Sequence, residues 1–244
     1  MLILSAGMPK SGSAYLYNIL NALLVEAGNA DARKIKAKRN LEDLMKWHNN
    51  YIGELSLKKI IRLWLISIQD GSFAVKTHQG PKLSTKALNK LGLLRIVYCY
   101  RDPRDVLLSA VDHGKRILED GGHHTFAKMV DFDKASKKVK SWLGVWKRYN
   151  NMTGVLMVKY EDMMEKPIEN TKEIVEFLNI SVTDKKLEEV IWKFSRDNPD
   201  GDRTGMHFNK AKTYRYKTEI TEAQRTKCQE AFGDYLEAMG YEIE

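Results

Sequence analysis

Cysteine is scarce in this chain: Cys99 and Cys228 are its only two among 244 residues, too few for a disulfide framework. Cys99 lies inside the apolar run LRIVYCY, where a buried thiol is expected, and a reducing compartment such as the cytoplasm fits both. Nowhere do apolar residues continue for the roughly 20 positions of a membrane-spanning helix. The opening stretch MLILSAG has no basic residues ahead of its apolar ones, so it reads as a first strand and not as a secretory leader. Without a secretory route, the sequons at Asn151 and Asn179 are chance matches. Proline is limited to five residues, and no linker, internal repeat or low-complexity tract divides the sequence, which gives one domain over residues 1–244.

What is abundant is positive charge. Forty Lys and Arg stand against 32 Asp and Glu, a formal net charge of +8, which favours an anionic partner: nucleic acid, an anionic membrane surface or a highly charged small molecule. Charge alone does not choose among these. With 43% hydrophobic and 30% charged residues the composition is that of a folded protein.

The hydrophobic pattern alternates strands with helices. After MLILSAG and a glycine loop, Leu16, Ile19, Leu20, Leu23, Leu24 and Ala27 recur at helical spacing, and Gly28 stands where a helix C-cap glycine is expected. SFAVKTH reads as a short buried strand, STKALNKLG as a helix closed by Gly92, and LRIVYCY as a second core strand. In RDPRDVLLSAV, Asp102 fits an N-cap and Pro103 the first helical position. DKASKKVKSWLGVWKRYN follows as a basic amphipathic helix, VLMVKY as a strand, and PIENTKEIVEFLNI, TDKKLEEVIWKF and TEAQRTKCQEAFGDYLEAMG as helices. This alternation predicts an α/β, P-loop-like three-layer fold with a mainly parallel central sheet flanked by helices, its ligands bound beyond the carboxyl ends of the strands. The stretch 196–217 reads as a long basic loop, the kind that covers sites.

The first of those strand ends carries GMPKSGSAY. Gly7 and Gly12 have the spacing of a phosphate loop, G-x-x-x-x-G-K-[ST], but Ser13 and Ala14 stand where the loop lysine and its magnesium-ligating hydroxyl belong. Lys10 lies within the loop, where it can meet an anion also held by backbone N–H groups at the start of the following helix.

Lys10, Ser11 and Gly12 in PKSGSAY, together with Arg101 and Ser109 in YRDPRDVLLS, resemble the PAPS-dependent sulfotransferase family. The resemblance implies that the first motif is a 5'-phosphosulfate loop, with Lys10, Ser11, Gly12, Ser13 and Ala14 against the cofactor, and that Arg101 and Ser109 hold its 3'-phosphate. An arginine fork and a hydroxyl suit a phosphate dianion. VKTHQGP is similar to the family's lysine-threonine-histidine segment, which makes His78 the catalytic base; neutral imidazole suits removal of a hydroxyl proton. Lys76 either helps hold the sulfonate or faces solvent. VKYEDMMEKP is similar to the family's strand-end tyrosine segment, placing Tyr160 beside adenine or in the core. Tyr15 occupies the position where many members have an adenine-packing tryptophan. WKFSRDNPD resembles a pocket-lining segment, so Phe194 is a cofactor candidate as well as a core one. The family's arginine-lysine-glycine lid has HFNKAKTYRYKTEIT as counterpart: Lys210 matches the lysine, Asn209 and Ala211 depart from the pattern, and Lys212 or Arg215 are substitutes.

The activity so implied is sulfuryl transfer from 3'-phosphoadenosine 5'-phosphosulfate (PAPS) to an acceptor, a small or carrier-bound hydroxyl compound, releasing adenosine 3',5'-bisphosphate (PAP). Lys10 and Ser109 assist His78, and neither a metal nor nucleic acid is expected. Two rivals remain on the sequence: a P-loop kinase using ATP, and a basic nucleotide- or nucleic-acid-binding module without catalysis. ARKIKAKRN reads as a solvated basic face. His113, His123 and His124 lack the companion ligands of a metal site and read as a polar loop.

Overall fold

A computed structural model describes residues 1–123, 125–206 and 212–243. Its centre is a four-stranded, all-parallel sheet of β1 (Leu2–Gly7), β2 (Phe73–Thr77), β3 (Leu94–Tyr100) and β4 (Val155–Lys159), in the order β2-β1-β3-β4. β1 is buried along its whole length, as a central parallel strand covered on both faces must be. Because side chains alternate, Leu2, Leu4 and Ala6 enter one core layer and Ile3 the other, and β3 divides likewise between Leu94, Ile96 and Tyr98 and Val97 and Cys99.

Helix α1 (Ser13–Glu26), the short helix α7 (Tyr160–Glu165), α8 (Pro167–Leu178) and α9 (Asp184–Phe194) fill the layer on one face. The other face is covered by α2 (Ala32–Lys38), α3 (Leu57–Asp70), α5 (Pro103–Glu119), α6 (Phe132–Asn150) and α11 (Glu222–Ala238). The helices α4 (Leu83–Lys90) and α10 (Tyr216–Glu219) and a 3-10 segment at Thr125–Val130 complete the described structure. None of these helices is long and apolar enough to cross a membrane.

The local expectations hold at the ends that matter. The Asp102 carboxylate accepts from the Arg104 N–H at 2.8 Å and Pro103 opens α5, while Gly28 and Gly92 take positive φ of 79° and 70° just past α1 and α4. The basic run 33–39 keeps a solvated face, with Lys34 and Lys38 exposed, but several of its side chains are also tied down. It forms α2, in which Ala32 and Ile35 are buried, Arg33 bonds Asn18 and the His48 carbonyl, Lys36 bonds the Trp47 carbonyl, and Lys38 and Arg39 pair with Asp70. Those bonds fix the segment around residues 47–51, which reaches the site.

Strand order decides where that site lies. The chain leaves β1 toward β2 on one side, whereas β3 continues to β4 on the other, so the sheet has its switch point between β1 and β3. Their ends are in register, Gly7 opposite Cys99, and β2 ends beside them with Thr77 opposite Ala6. The loop after β1, the residues after β3 and His78 after β2 therefore meet at one place.

Candidate active site

The loop between β1 and α1 is stitched to β3. The Met8 N–H donates to the Cys99 carbonyl at 3.1 Å, and the Cys99 thiol donates to the Ser11 carbonyl at 2.8 Å. The Ser11 hydroxyl donates to the Met8 carbonyl at 2.7 Å, with the Cys99 carbonyl at 3.2 Å. This corrects the expectation for Ser11: its side chain is fully buried and holds the loop's shape, and its N–H also donates to the Met8 carbonyl at 3.4 Å, so neither is turned to an anion. Lys10 and Gly12 both take positive φ, 68° and 82°, an unusual state for lysine of the kind that persists where surrounding structure imposes it. Gly12 is the N-cap of α1, and no side chain among the described residues caps that end, so the first N–H groups at Ser13, Ala14 and Tyr15 are available to an anion.

Gly12 is required twice over. A Cβ there would stand 2.3 Å from the Tyr160 ring, and its φ is one that side chains disfavour. Gly12→Ala is expected to lower stability by about 1–3 kcal/mol, read from denaturant unfolding, and to weaken PAP binding as Tyr160 shifts. A variant with wild-type stability and affinity would show that the Tyr160 contact does not shape the loop.

Lys10, His78, Arg101 and Ser109 line one cavity of about 1020 Å³, together with Gly12, Ser13, Ala14, Tyr15, Lys76 and Tyr160. His78 Nδ1 lies 2.7 Å from the Gly7 carbonyl, which can only accept, so the ring proton sits on Nδ1 and Nε2 carries the lone pair. Lys76 Nζ stands 2.8 Å from that Nε2 and donates to it. Of the two readings left open for Lys76, the structure takes the cavity: the residue is 4% exposed. Burial, then the nearby Lys76 cation, holds the His78 pKa down to about 3, and burial brings Lys76 down to about 7. Lys10 is lowered to about 8 by burial, then by the guanidinium groups of Arg116 and Arg101.

Arg101 is 5% exposed. Its Nη2 donates to Asp105 Oδ2 at 2.8 Å and to the Lys212 carbonyl, and its guanidinium lies 4.6 Å from the centre of the Tyr160 ring. Its Nε is buried and has no hydrogen-bond partner among the described residues, a costly arrangement that an anion would relieve. Asp105 also accepts from the Tyr216 N–H at 3.1 Å, and burial raises its pKa. Ser109, two turns along α5, faces the same cavity.

Phe194 is corrected: it is buried in the core layer beneath Tyr160 and does not line the cavity, its role there being packing. Lys210, with Asn209, Ala211 and His124, lies outside the described residues. Of the two named lid substitutes, Lys212 and Arg215 both line the cavity, as do Arg203, Gly205 and Met206; the Thr204 carbonyl is tied to Asn18 Nδ2 at 3.0 Å.

Several wall residues escaped the sequence reading. Trp47 and Tyr51 form one aromatic side, stacked at 5.1 Å, with Tyr51 5.6 Å from the His78 ring. Phe126 and Trp142 form another at 6.1 Å, and Lys10 Nζ stands 5.9 Å above Phe126. His113, read as part of a polar loop, lies in α5 with its ring edge to Phe126 at 4.8 Å. Its spacing of four from Ser109 was the available signal. Nothing local marks Tyr51, whose place depends on a bridge to Lys76.

A glycine loop and an uncapped helix start at the switch point of a parallel sheet, without the loop's magnesium-binding hydroxyl, define a P-loop-like α/β protein built to hold an anion without that metal ligand. No group of three or more metal-ligating side chains occurs among the described residues. The sulfotransferase domain model matches residues 2–240, and the chain belongs to that family. It is 28% identical over 193 residues to cytosolic sulfotransferase 13 of Arabidopsis thaliana, covering 76% of this chain and 56% of that protein. It is 26% identical over 261 residues to sulfotransferase 1 family member D1 of Mus musculus, covering 97% and 83%. Among solved structures, a mouse sulfotransferase complexed with PAP superposes with a TM-score of 0.64 at 18% identity, covering 97% of this chain and 84% of that one. A retinol dehydratase in complex with retinol and PAP gives 0.60 at 17% identity, covering 96% and 81%.

Proposed function

We propose that this chain transfers a sulfuryl group from PAPS to an acceptor hydroxyl and releases PAP. The observation that carries the reading is the convergence, at the β1/β3 switch point, of a fixed-tautomer histidine, a loop lysine and a buried arginine whose Nε has no partner among the described residues, around one cavity. Lys10 and the Ser13, Ala14 and Tyr15 N–H groups receive the 5'-phosphosulfate. Arg101 and Ser109 receive the 3'-phosphate, with Tyr160 and Tyr15 beside the adenine and Lys212 over it.

In the transfer, His78 Nε2 takes the acceptor's hydroxyl proton as that oxygen bonds to sulfur; the bond from sulfur to the 5'-phosphate oxygen breaks, and its electron pair stays on PAP. Lys10 stabilises the charge that develops on that oxygen, in water-poor surroundings where such stabilisation is strong. A histidine held at about 3 is a poor base. Burial is the larger cause and persists in the complex, but pairing Lys76 and Lys10 with the bound anion offsets two cations that add to it and frees Nε2 from Lys76, so the bound cofactor makes His78 a better base than it is in the free protein. Family membership leaves the kinase and the non-catalytic module without support. The two buried, unpaired cysteines fit a cytoplasmic setting.

Calorimetry with PAP against ATP tests the reading, followed by transfer from labelled PAPS: PAP is expected to bind without metal and ATP far more weakly. Equal affinities, or ATP binding that requires magnesium, would overturn it.

The lowered lysine values set a pH dependence with a definite sign. Anion binding needs the protonated amines, and their charge is lost as pH rises through about 7 for Lys76 and about 8 for Lys10. PAP affinity is therefore expected to fall between pH 7 and 9, and binding at pH 8 to take up protons. Calorimetry in buffers of different ionisation enthalpy measures that uptake; flat affinity without uptake would contradict it.

A further inference from the structure

The cavity wall carries a cation, Lys138, apart from those placed against the cofactor. No carboxylate lines it among the described residues. Of its cationic side chains, Arg215 is held by Asp112 and Glu219, and Arg203 bonds backbone carbonyls of Ser195, Arg196 and Asn198. Lys10, Lys76, Arg101 and Lys212 stand where the anions of PAPS are placed: about two charges on its 3'-phosphate and one on each acid group of the phosphosulfate. Arg101 in that set is already paired with Asp105, and Lys138 stands apart from it.

Lys138 lies on α6 four residues before Trp142, hence on the same helix face, and both line the cavity. It is on the side bounded by Phe126 and Trp142, away from the Arg101 and Tyr160 end. A second cation stands close enough to act on Lys10 without itself lining the cavity: Arg116, whose Nε and Nη2 are buried without a hydrogen-bond partner among the described residues. Arg116 follows His113 by three positions on α5, and no other charge acts on Lys10 as strongly. Buried guanidinium donors left unpaired are costly, and a neutral acceptor would do nothing to offset them.

We infer that the acceptor is a hydroxyl compound with an aromatic body and an anionic substituent, a carboxylate or a group of the same charge. Its ring lies between Tyr51 and Phe126, its hydroxyl meets His78, and its anion is drawn to Lys138 in the positive potential that Arg116 strengthens. This rests on the sulfotransfer reading and goes beyond it by fixing the sign of the acceptor's charge.

The test is PAPS-dependent sulfation of three phenols matched in shape: 3-(4-hydroxyphenyl)propanoate, its uncharged methyl ester, and cationic tyramine. The carboxylate is expected to exceed the ester in kcat/KM by about tenfold or more, with the margin shrinking as salt rises. K138E should reverse the order and favour tyramine, and because Lys138 is exposed this change spares the fold; R116M should narrow the carboxylate's margin. An ester used as well as the carboxylate, a K138E that leaves the ratio unmoved, or no phenol sulfated at all would each overturn the inference. PAP calorimetry on the same samples separates the two claims: PAP bound with the wrong charge preference removes only the anionic acceptor, whereas failure to bind PAP removes the sulfotransferase reading beneath it.

Discussion

His78→Ala is expected to lower kcat by about 10²- to 10⁴-fold, the span of a general base, while PAP affinity stays near wild type. The imidazole is placed by the Gly7 carbonyl at Nδ1 and offers only Nε2 to a substrate, so no other nitrogen can substitute for it. PAP binding should survive because the loop, the α1 start and Arg101 are held by bonds that do not include His78. Single-turnover assays read the chemical step and calorimetry the affinity. Unchanged turnover would remove His78 from the chemistry, and a large loss of PAP affinity would make it part of the cofactor site instead.

Arg101→Ala should cost about 2–5 kcal/mol of PAP affinity, the usual consequence of truncating one side of a buried charged pair, or roughly 30-fold to several thousandfold in Kd. An analogue that lacks the 3'-phosphate should lose far less. The substitution also strips Asp105 of its ion pair, leaving a buried carboxyl supported by the Tyr216 N–H alone. Its pKa, already raised by burial, would rise further, and the variant would lose stability for reasons unrelated to the ligand. Pairing Arg101→Ala with Asp105→Asn removes that orphan, so the ligand contrast can be read in a stable protein. Equal losses for PAP and for the analogue would detach Arg101 from the 3'-phosphate.

Much of this site was legible because chemistry and secondary structure share the same few residues. Gly7, Lys10 and Gly12 sit between a strand and a helix that apolar spacing reveals, and Arg101 with Ser109 falls at a strand end marked by Asp102 and Pro103. His78 follows a short buried strand. What the sequence withheld depends on contacts distant along the chain. Ser11 looks like a ligand by position, yet its hydroxyl is taken by carbonyls, one of them 88 residues away. Phe194 sits in a matching motif but points into a core layer that only the packing of α1, α8 and α9 defines. The walls at Trp47, Tyr51 and Phe126 come from segments with weak periodicity, positioned by α2 and by the close approach of α5 at Gly114, where a Cβ would stand 2.5 Å from the Phe126 carbonyl.

One peptide group joins two duties. The Gly7 carbonyl orients the imidazole proposed as base, and the residues that follow it begin the loop proposed to hold the anion, so both are anchored to the end of the same central strand. The wall of Phe126 and Trp142, by contrast, hangs from segments outside the sheet, whereas Tyr51 is bridged to Lys76 of β2. If the proposed roles hold, reactivity and recognition are built from separable parts on that side: exchanging residues around 125–142 offers a route to new acceptors with Lys76 and His78 left in place.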